Sequence, residues 1–266
     1  MFNENIENFY TQGQENTRLF SNALGNFERE RSLIILKKYI PNVSCTILDV
    51  GGGAGAYAFP LAEQGHNVYL IDPIKLHIEQ AKQQSIQLAG LHIGDARNLS
   101  YPNEFADVVL LMGPLYHLPK RNERIKALTE AWRILKAGGL IIAAAISRLS
   151  TALDCFASNL IENTQIQEMV KKDIATGKHY SPSNIEYFTE AYFHHPEDLK
   201  QELIEAKFDK IEMLAVEGPF WNLPNFEQLY NDSKKRAFLH WTVEKIEKDM
   251  SLLGASAHIL AVGYKN

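Results

Sequence analysis

The stretch Thr46-Ile-Leu-Asp-Val-Gly-Gly-Gly-Ala-Gly-Ala56 decides the fold. A short apolar strand ends in an acid, Asp49, and the turn that follows is stripped of side chains. Glycine tolerates positive φ and places no Cβ in the path of a ligand, so Gly51, Gly53 and Gly55 predict a strand-to-helix loop that cradles a nucleotide-like cofactor.

Outward from that loop, strands and helices alternate. The patterns predict strands at 46–50, 67–71, 91–93, 106–111 and 140–146, with helices at 55–64, 74–84 and 121–135 between them. Such alternation implies a parallel sheet with helices on both faces. Leu140-Ile-Ile-Ala-Ala-Ala-Ile146 lacks polar alternation, as a strand buried on both sides should. In the preceding helix Ile125, Leu128, Trp132 and Leu135 repeat at helical spacing, and Gly138-Gly139 are expected to stop it.

The flanking regions differ. Residues 1–40 turn from polar and aromatic to amphipathic, ending at Pro41, and are expected to cap the site. Residues 148–192 show two amphipathic helical stretches and a loop without strands, an inserted helical lid. The α/β rhythm resumes over 193–266 with a helix at 196–206 opened by proline and acids, a strand at 209–216, a helical insertion at 221–250 and a last strand at 258–264. The expected core therefore spans 41–147 and is completed by the C-terminal segment.

Composition bounds the partners. At 266 residues, 45% apolar and 22% charged, the chain can bury a full core, and its net charge of −5 argues against a nucleic-acid partner. The basic runs Lys171-Lys172 and Lys234-Lys235-Arg236 are isolated and read as solvated helix faces. Cys45 and Cys155 are too few and too far apart for a disulfide framework or a zinc site, and the longest apolar run is too short for a membrane span. The expectation is a cytoplasmic protein with no membrane partner and no metal; oligomeric state is left open.

The glycine run alone fits two cofactors, because Gly51-x-Gly53-x-x-Ala56 with Asp72 is also a dinucleotide fingerprint. Acid placement separates them. A carboxylate at Asp49 gains nothing beside a pyrophosphate but suits a cationic ligand group such as an amino acid ammonium. Acids follow three successive strands, Asp49, Asp72 and Asp95, and three acceptors on one sheet edge match an amine, a ribose diol and an adenine amino group. Helix capping by Asp49 or Asp72, and an ordinary Gly-Asp turn at Asp95, are the competing readings.

These residues resemble the class I S-adenosylmethionine-dependent methyltransferases, of the type that acts on small molecules. Asp49-x-Gly51-x-Gly53-x-Gly55 is similar to the family's first motif, Gly94-Asp95-Ala96 to its adenine motif, and Phe105 to Leu118 to its fourth-strand motif. Trp132-Arg-Ile-Leu-Lys-Ala-Gly-Gly-Leu140 is similar to its R-x-L-K-P-G-G sequence, with Ala137 in place of proline. The resemblance implies a Rossmann-like seven-stranded sheet, mostly parallel with the last strand antiparallel, and S-adenosylmethionine as cofactor. It places Asp49 and the Gly51–Gly55 backbone near the methionyl part, Asp72 on the ribose, Asp95 and Ala96 on adenine and Met112 beside the cofactor. Arg18 has two candidate partners, the cofactor carboxylate and Glu15.

Methyl transfer from a sulfonium is an in-line displacement in which positioning supplies much of the acceleration. His117, in Gly113-Pro-Leu-Tyr-His117, follows the fourth strand and is the candidate base, with a pKa near neutrality and Tyr116 beside it; a loop histidine bonded to backbone is the other reading. The fourth strand lacks the Asn-Pro-Pro-Tyr sequence of enzymes that methylate adenine or glutamine amino groups. Aromatic residues crowd 178–195, among them Tyr180, Tyr187, Tyr192 and His194, and Trp221 follows a later strand. These lid residues are expected to contact a small aromatic or hydrophobic acceptor, methylated at O or N. An NAD-dependent oxidoreductase and a non-catalytic S-adenosylmethionine sensor are the alternatives.

Overall fold

The computed structural model describes Tyr10, residues 18–181 and residues 188–266. Its centre is a seven-stranded sheet built from β1 (Thr46–Val50), β2 (Asn67–Asp72), β3 (Gly90–Ile93), β4 (Ala106–Leu111), β5 (Leu135–Ile146), β8 (Asp209–Ala215) and β9 (His258–Tyr264), in the order β3-β2-β1-β4-β5-β9-β8. β9 runs antiparallel to both its neighbours, and the other pairings are parallel. The mostly parallel sheet with one reversed strand is the architecture expected from the sequence.

Pleating sends alternate residues of each strand to opposite faces, and both faces are covered. Leu48, Val50, Val109, Leu111, Ile141 and Ala143 face a cluster with Leu128 and Ala131 of α4 (Arg121–Ile134) and Leu199 and Leu203 of α7 (Pro196–Glu205). Ile47, Val68, Leu70, Val108, Leu110 and Ile142 face Ile35 and Leu36 of α1 (Ala23–Tyr39), Leu61 of α2 (Ala58–Glu63), and Ile78 and Ala81 of α3 (Lys75–Lys82). Burial on both sides is why β5 reads as an unbroken apolar run.

Two local expectations are corrected. Gly138 and Gly139 do not end α4, which stops at Ile134 when Leu135 turns extended; they lie inside β5, where the pairing with β4 shifts register between Ala106 and Val108. Gly138, at φ +77°, makes that bend, and its N–H donates to Lys265 O. The lid also carries strand: beyond α5 (Ser150–Ala157) and α6 (Thr164–Thr176), β6 (Lys178–His179) pairs antiparallel with β7 (Ala191–Tyr192).

Between β8 and β9 the chain inserts α8 (Phe226–Asn231) and α9 (Ser233–Ile246). They close onto α1 through Phe27, which meets Phe226 and Tyr230 edge to face at 5.5 and 6.4 Å. Arg31 of α1, fully buried, donates to Glu247 at 2.6 Å and to Val216 O at 3.2 Å. A buried ion pair of this kind fixes one seating of α1, because either partner alone would be an uncompensated charge in the interior.

Candidate functional site

The carboxyl ends of β1 and β4 are adjacent while their following connections leave in opposite directions, which opens a crevice at the top of the sheet. A cavity of about 340 Å³ occupies it. Its floor is the loop Gly51–Ala56, one wall is Asp72, Asp95 and Ala96, and the other is Met112 to Leu118, with Tyr10, Arg18, Phe20, Glu28 and Tyr57 above.

The loop's geometry explains its glycines. Gly51 has φ +69°, and a Cβ there would lie 2.5 Å from Pro114 Cγ. Gly53 has φ +58°, and a Cβ there would meet no atom within 4 Å: it would project into the open cavity. The chain thus leaves bare backbone where a ligand lies against it.

Asp49 sits beneath that loop, fully buried, and a Cβ on Gly52 would strike its carboxyl at 2.5 Å. Neither of its oxygens has a hydrogen-bond partner of ordinary geometry. Burial, reinforced by the charge of Asp72 and only partly offset by the Ala58 amide, pushes its pKa up to about 7. Asp72, at the tip of β2, is satisfied from within: it accepts from the amides of Gly53 (2.9 Å) and Ile74 (2.8 Å) and lies 3.0 Å from His77 Nδ1. It ties the glycine loop to the second strand. Asp95 accepts from the Arg97 amide at 2.8 Å and is forked by its guanidinium, at 2.5 Å on the Nη2 side. Burial would raise its pKa, but the Arg97 hydrogen bonds and charge outweigh it and hold the carboxyl below the usual range.

On the other wall His117 Nε2 lies 2.5 Å from the Tyr10 hydroxyl. The expectation of a near-neutral pKa is not met: burial, with the Arg18 cation adding to it and a Glu190 backbone contact opposing it, depresses His117 to about 3. The imidazole is therefore neutral at physiological pH and a weak base. Tyr116 packs edge to face on it at 4.6 Å. Arg18 pairs with Glu28, at 2.6 and 3.0 Å, both on the cavity wall. His258, at the start of β9, stands between Glu217 (2.7 Å) and Glu28 (3.8 Å). Burial opposes its charge, but the two carboxylates prevail and raise it to about 8. Glu15 and Tyr187 lie outside the described residues.

Of the residues expected from the sequence, Arg18, Gly51, Gly53, Gly55, Asp72, Asp95, Ala96, Met112, Tyr116 and His117 line the cavity, and Asp49 lies under its floor. The four assigned to the acceptor do not line this cavity; Tyr180 and Tyr192 line a neighbouring hollow that shares His117 and Leu118 with it. Tyr192 is stacked by the Arg124 guanidinium at 3.7 Å, and its hydroxyl accepts from Arg148. His194 is fully buried against Glu202 at 3.3 Å. Trp221 donates to Ala255 O at 2.9 Å, and Tyr180 lies on the surface under Lys172. A run of aromatic residues cannot reveal which of them turn inward onto each other. Among the described residues, Phe188 approaches the site, 5.8 Å from the His117 ring. Glu28 and Tyr57 escaped the sequence reading. The available signal for Glu28 was its place at helical spacing with Arg31, Ser32 and Ile35, a polar stripe continuing an apolar one.

Reversed-strand topology, a glycine cradle and acids at three strand tips define a class I S-adenosylmethionine-dependent methyltransferase fold. Residues 48–143 match the model of the methyltransferase domain family. The chain is 32% identical over 127 residues to a ubiquinone/menaquinone biosynthesis C-methyltransferase of Rickettsia bellii, covering 44% of this chain and 50% of that protein. It is 30% identical over 96 residues to the chloroplastic 2-methyl-6-phytyl-1,4-hydroquinone methyltransferase of Arabidopsis thaliana, covering 35% of this chain and 28% of that one. The chain thus spans half or less of the length of these relatives. Among solved structures, a Pyrococcus horikoshii protein superposes with a TM-score of 0.63 at 17% identity over 97% of this chain and 99% of its own. A Thermotoga maritima S-adenosylmethionine-dependent methyltransferase gives 0.59 at 19% over 98% of both chains. At such identities the likeness establishes the fold.

The residues present fit that cofactor. A buried carboxyl with no hydrogen-bond partner of ordinary geometry lies below a loop whose bare backbone faces open space, which suits a ligand bearing positive charge better than a pyrophosphate. Among the described residues no helix is long and apolar enough to cross a membrane.

Proposed function

We propose that this protein is an S-adenosylmethionine-dependent methyltransferase whose acceptor is a small aromatic molecule. The observation that carries the reading is one continuous cavity joining the glycine cradle over Asp49 to an aromatic wall of Tyr57, Tyr116 and His117. In this reading the loop amides and Asp49 hold the amino acid end of the cofactor, Asp72 the ribose, and Asp95 with Ala96 the adenine. The cofactor supplies an electrophilic methyl group on a sulfonium.

The chain's own contribution is orientation and exclusion of water. Met112 to Leu118 form a rigid wall because Pro114 sets the start of a short 3-10 turn over Pro114–His117, fixing Tyr116 and His117 toward the cavity. Tyr10 closes over His117 and also meets His77, beside Asp72, edge to face at 5.6 Å, so one ring spans both halves of the cleft. His117, held neutral, orients an acceptor hydroxyl or ring without placing a second cation near a sulfonium. Glu28, held on both oxygens by Arg18 and backed by His258 and Glu217, keeps a negative charge on the cavity wall. Burial would raise the Glu28 pKa, but Arg18 and His258 keep it lowered.

The relatives' names, which specify carbon for one and a hydroquinone for the other, support a reading of the target atom. An electron-rich ring carbon is therefore the preferred target, in place of the O or N expected from the sequence. Calorimetric titration should show binding of S-adenosylmethionine and S-adenosylhomocysteine and none of NAD(H). Labelled methyl should then pass to a phenol or hydroquinone in an acceptor screen. Binding of NAD(H) in place of either sulfur compound would overturn the reading, and tight cofactor binding without transfer to any acceptor would favour a sensor.

A further inference from the structure

α9 is amphipathic in an unusual sense. Its inner face packs Leu239 and Val243 against Phe27 of α1, as a surface helix should. Its outer face is not polar throughout. Lys234, Phe238, Trp241 and Lys245 recur at i, i+4, i+7 and i+11 and form one stripe. Phe238 is 67% and Trp241 54% exposed, and the two rings stack at 5.6 Å with 14° between their planes. The helix carries four basic side chains, Lys234, Lys235, Arg236 and Lys245, against one acid, Glu244, in a chain whose net charge is −5.

We propose that this stripe docks the protein on an anionic lipid surface. Indole and phenyl rings favour the headgroup boundary of a bilayer, and lysines at both ends of the pair can lay their alkyl stems along it while their ammonium groups reach lipid phosphates. Positive charge concentrated on this helix supplies attraction to an anionic leaflet that the chain's overall charge does not. A second copy of the chain is the weaker occupant. At 67% and 54% exposure the two rings offer at most about 300 Å² per copy, so a pair of copies would bury about 600 Å², short of the roughly 1,200 Å² that a stable interface buries over both partners.

The stripe belongs to the same cap as the cavity. His240 and Tyr230 hold Glu30 of α1 at 2.9 and 2.8 Å, and the adjacent Glu28 and Arg29 line the cavity with half-exposed Phe20. Docking through α9 would bring that part of the cap to the bilayer, where an apolar acceptor is dissolved. This delivery role rests on the acceptor class proposed above; the lipid contact itself does not. The expectation of no membrane partner came from the lack of an apolar span, which an interfacial helix does not need.

The test is co-sedimentation of the full chain with vesicles of phosphatidylcholine alone and of phosphatidylcholine with phosphatidylglycerol, alongside calorimetric titration with S-adenosylhomocysteine. Sedimentation with the anionic vesicles at low salt, loss at high salt, and at least a tenfold weaker partition for Phe238→Ser/Trp241→Ser support the proposal. A Lys234→Glu/Lys245→Glu variant should lose anionic preference with its aromatic pair intact. Sedimentation with neither vesicle, equal partition of wild type and the serine variant, or a dimer in light scattering that the serine variant abolishes would each overturn it. S-adenosylhomocysteine affinity should stay the same in every variant. A wild type that binds S-adenosylhomocysteine but sediments with neither vesicle refutes the docking alone, whereas a wild type that fails to bind S-adenosylhomocysteine refutes the enzyme reading.

Discussion

The floor of the cavity and the lid treat buried polarity in opposite ways. Under the glycine loop, both oxygens of Asp49 are without ordinary hydrogen-bond partners, and Gly53 faces open space. In the lid's junction with the core, Arg124 spans Glu202 at 2.7 Å and the carbonyls of Leu118 and Pro119 at 2.9 and 3.1 Å, while stacking on Tyr192. Burial would raise the Glu202 pKa, but hydrogen bonds from His194 and Arg124 outweigh it and hold it at about 2. In one region the buried acid is left without ordinary partners; in the other the buried acid and guanidinium are matched to each other. An incomplete buried group is completed by a ligand; a closed network determines shape.

If that contrast is right, damage to the lid network changes stability and damage to the floor changes binding. The largest effect is expected for Glu202→Ala, which strands the buried Arg124 guanidinium and should cost about 3–5 kcal/mol in urea unfolding. Cofactor affinity, measured on the folded fraction, should not change. A lost cofactor site in a stably folded variant would break the comparison.

Asp49 gives the converse. Its folded pKa, about 7, lies above the ordinary 3.8, so the folded chain holds the proton more tightly than the unfolded one. Stability of the ligand-free protein should therefore fall as pH rises from about 4 to about 7, by up to roughly 4 kcal/mol for this group, and level off above that. Asp49→Asn should remove that slope in pH-dependent melts and leave the ligand-free fold as stable or more so at pH 8. The same substitution should weaken cofactor binding by about 1.5–3 kcal/mol, or roughly ten- to a hundredfold. Because a cationic ligand favours the ionised acid, binding near pH 6.5 should release protons, seen as calorimetric heats that vary with buffer ionisation enthalpy.

Gly53→Ala sharpens the contrast further. Positive φ should cost about 1–2 kcal/mol in stability, while the new Cβ blocks the floor and weakens cofactor binding further than the strain explains. The smallest effect is expected at Trp221→Phe. Loss of its bond to Ala255 O should cost about 1 kcal/mol, with cofactor affinity and acceptor KM unchanged.

The floor was legible and the lid was not, for a local reason. Asp49, the glycines, Asp72 and Asp95 act from strand tips and turns, where a few consecutive residues fix backbone and side-chain position together. Tyr180, Tyr192, His194 and Trp221 were matched to an acceptor by composition, but which way an aromatic ring faces depends on what packs against it from elsewhere in the chain. Tyr192 meets Arg124 across 68 positions of sequence. The pKa of His117 was equally hidden, because burial by the surrounding wall and the cation of Arg18 set it.

The sequence by itself determined the alternating α/β order, the reversed last strand through its family resemblance, and the glycine floor with its acids. Periodicity and turn chemistry act within a few residues and survive in one dimension. Only the tertiary structure decided that Asp49 lacks ordinary hydrogen bonds, that Glu28 and Tyr57 share the cavity with His117, that Tyr192 and His194 turn inward while Tyr180 stays at the surface, and that Phe238 and Trp241 face out. Each of these depends on the solvent and charge that distant segments remove or supply, and that is settled when the chain packs.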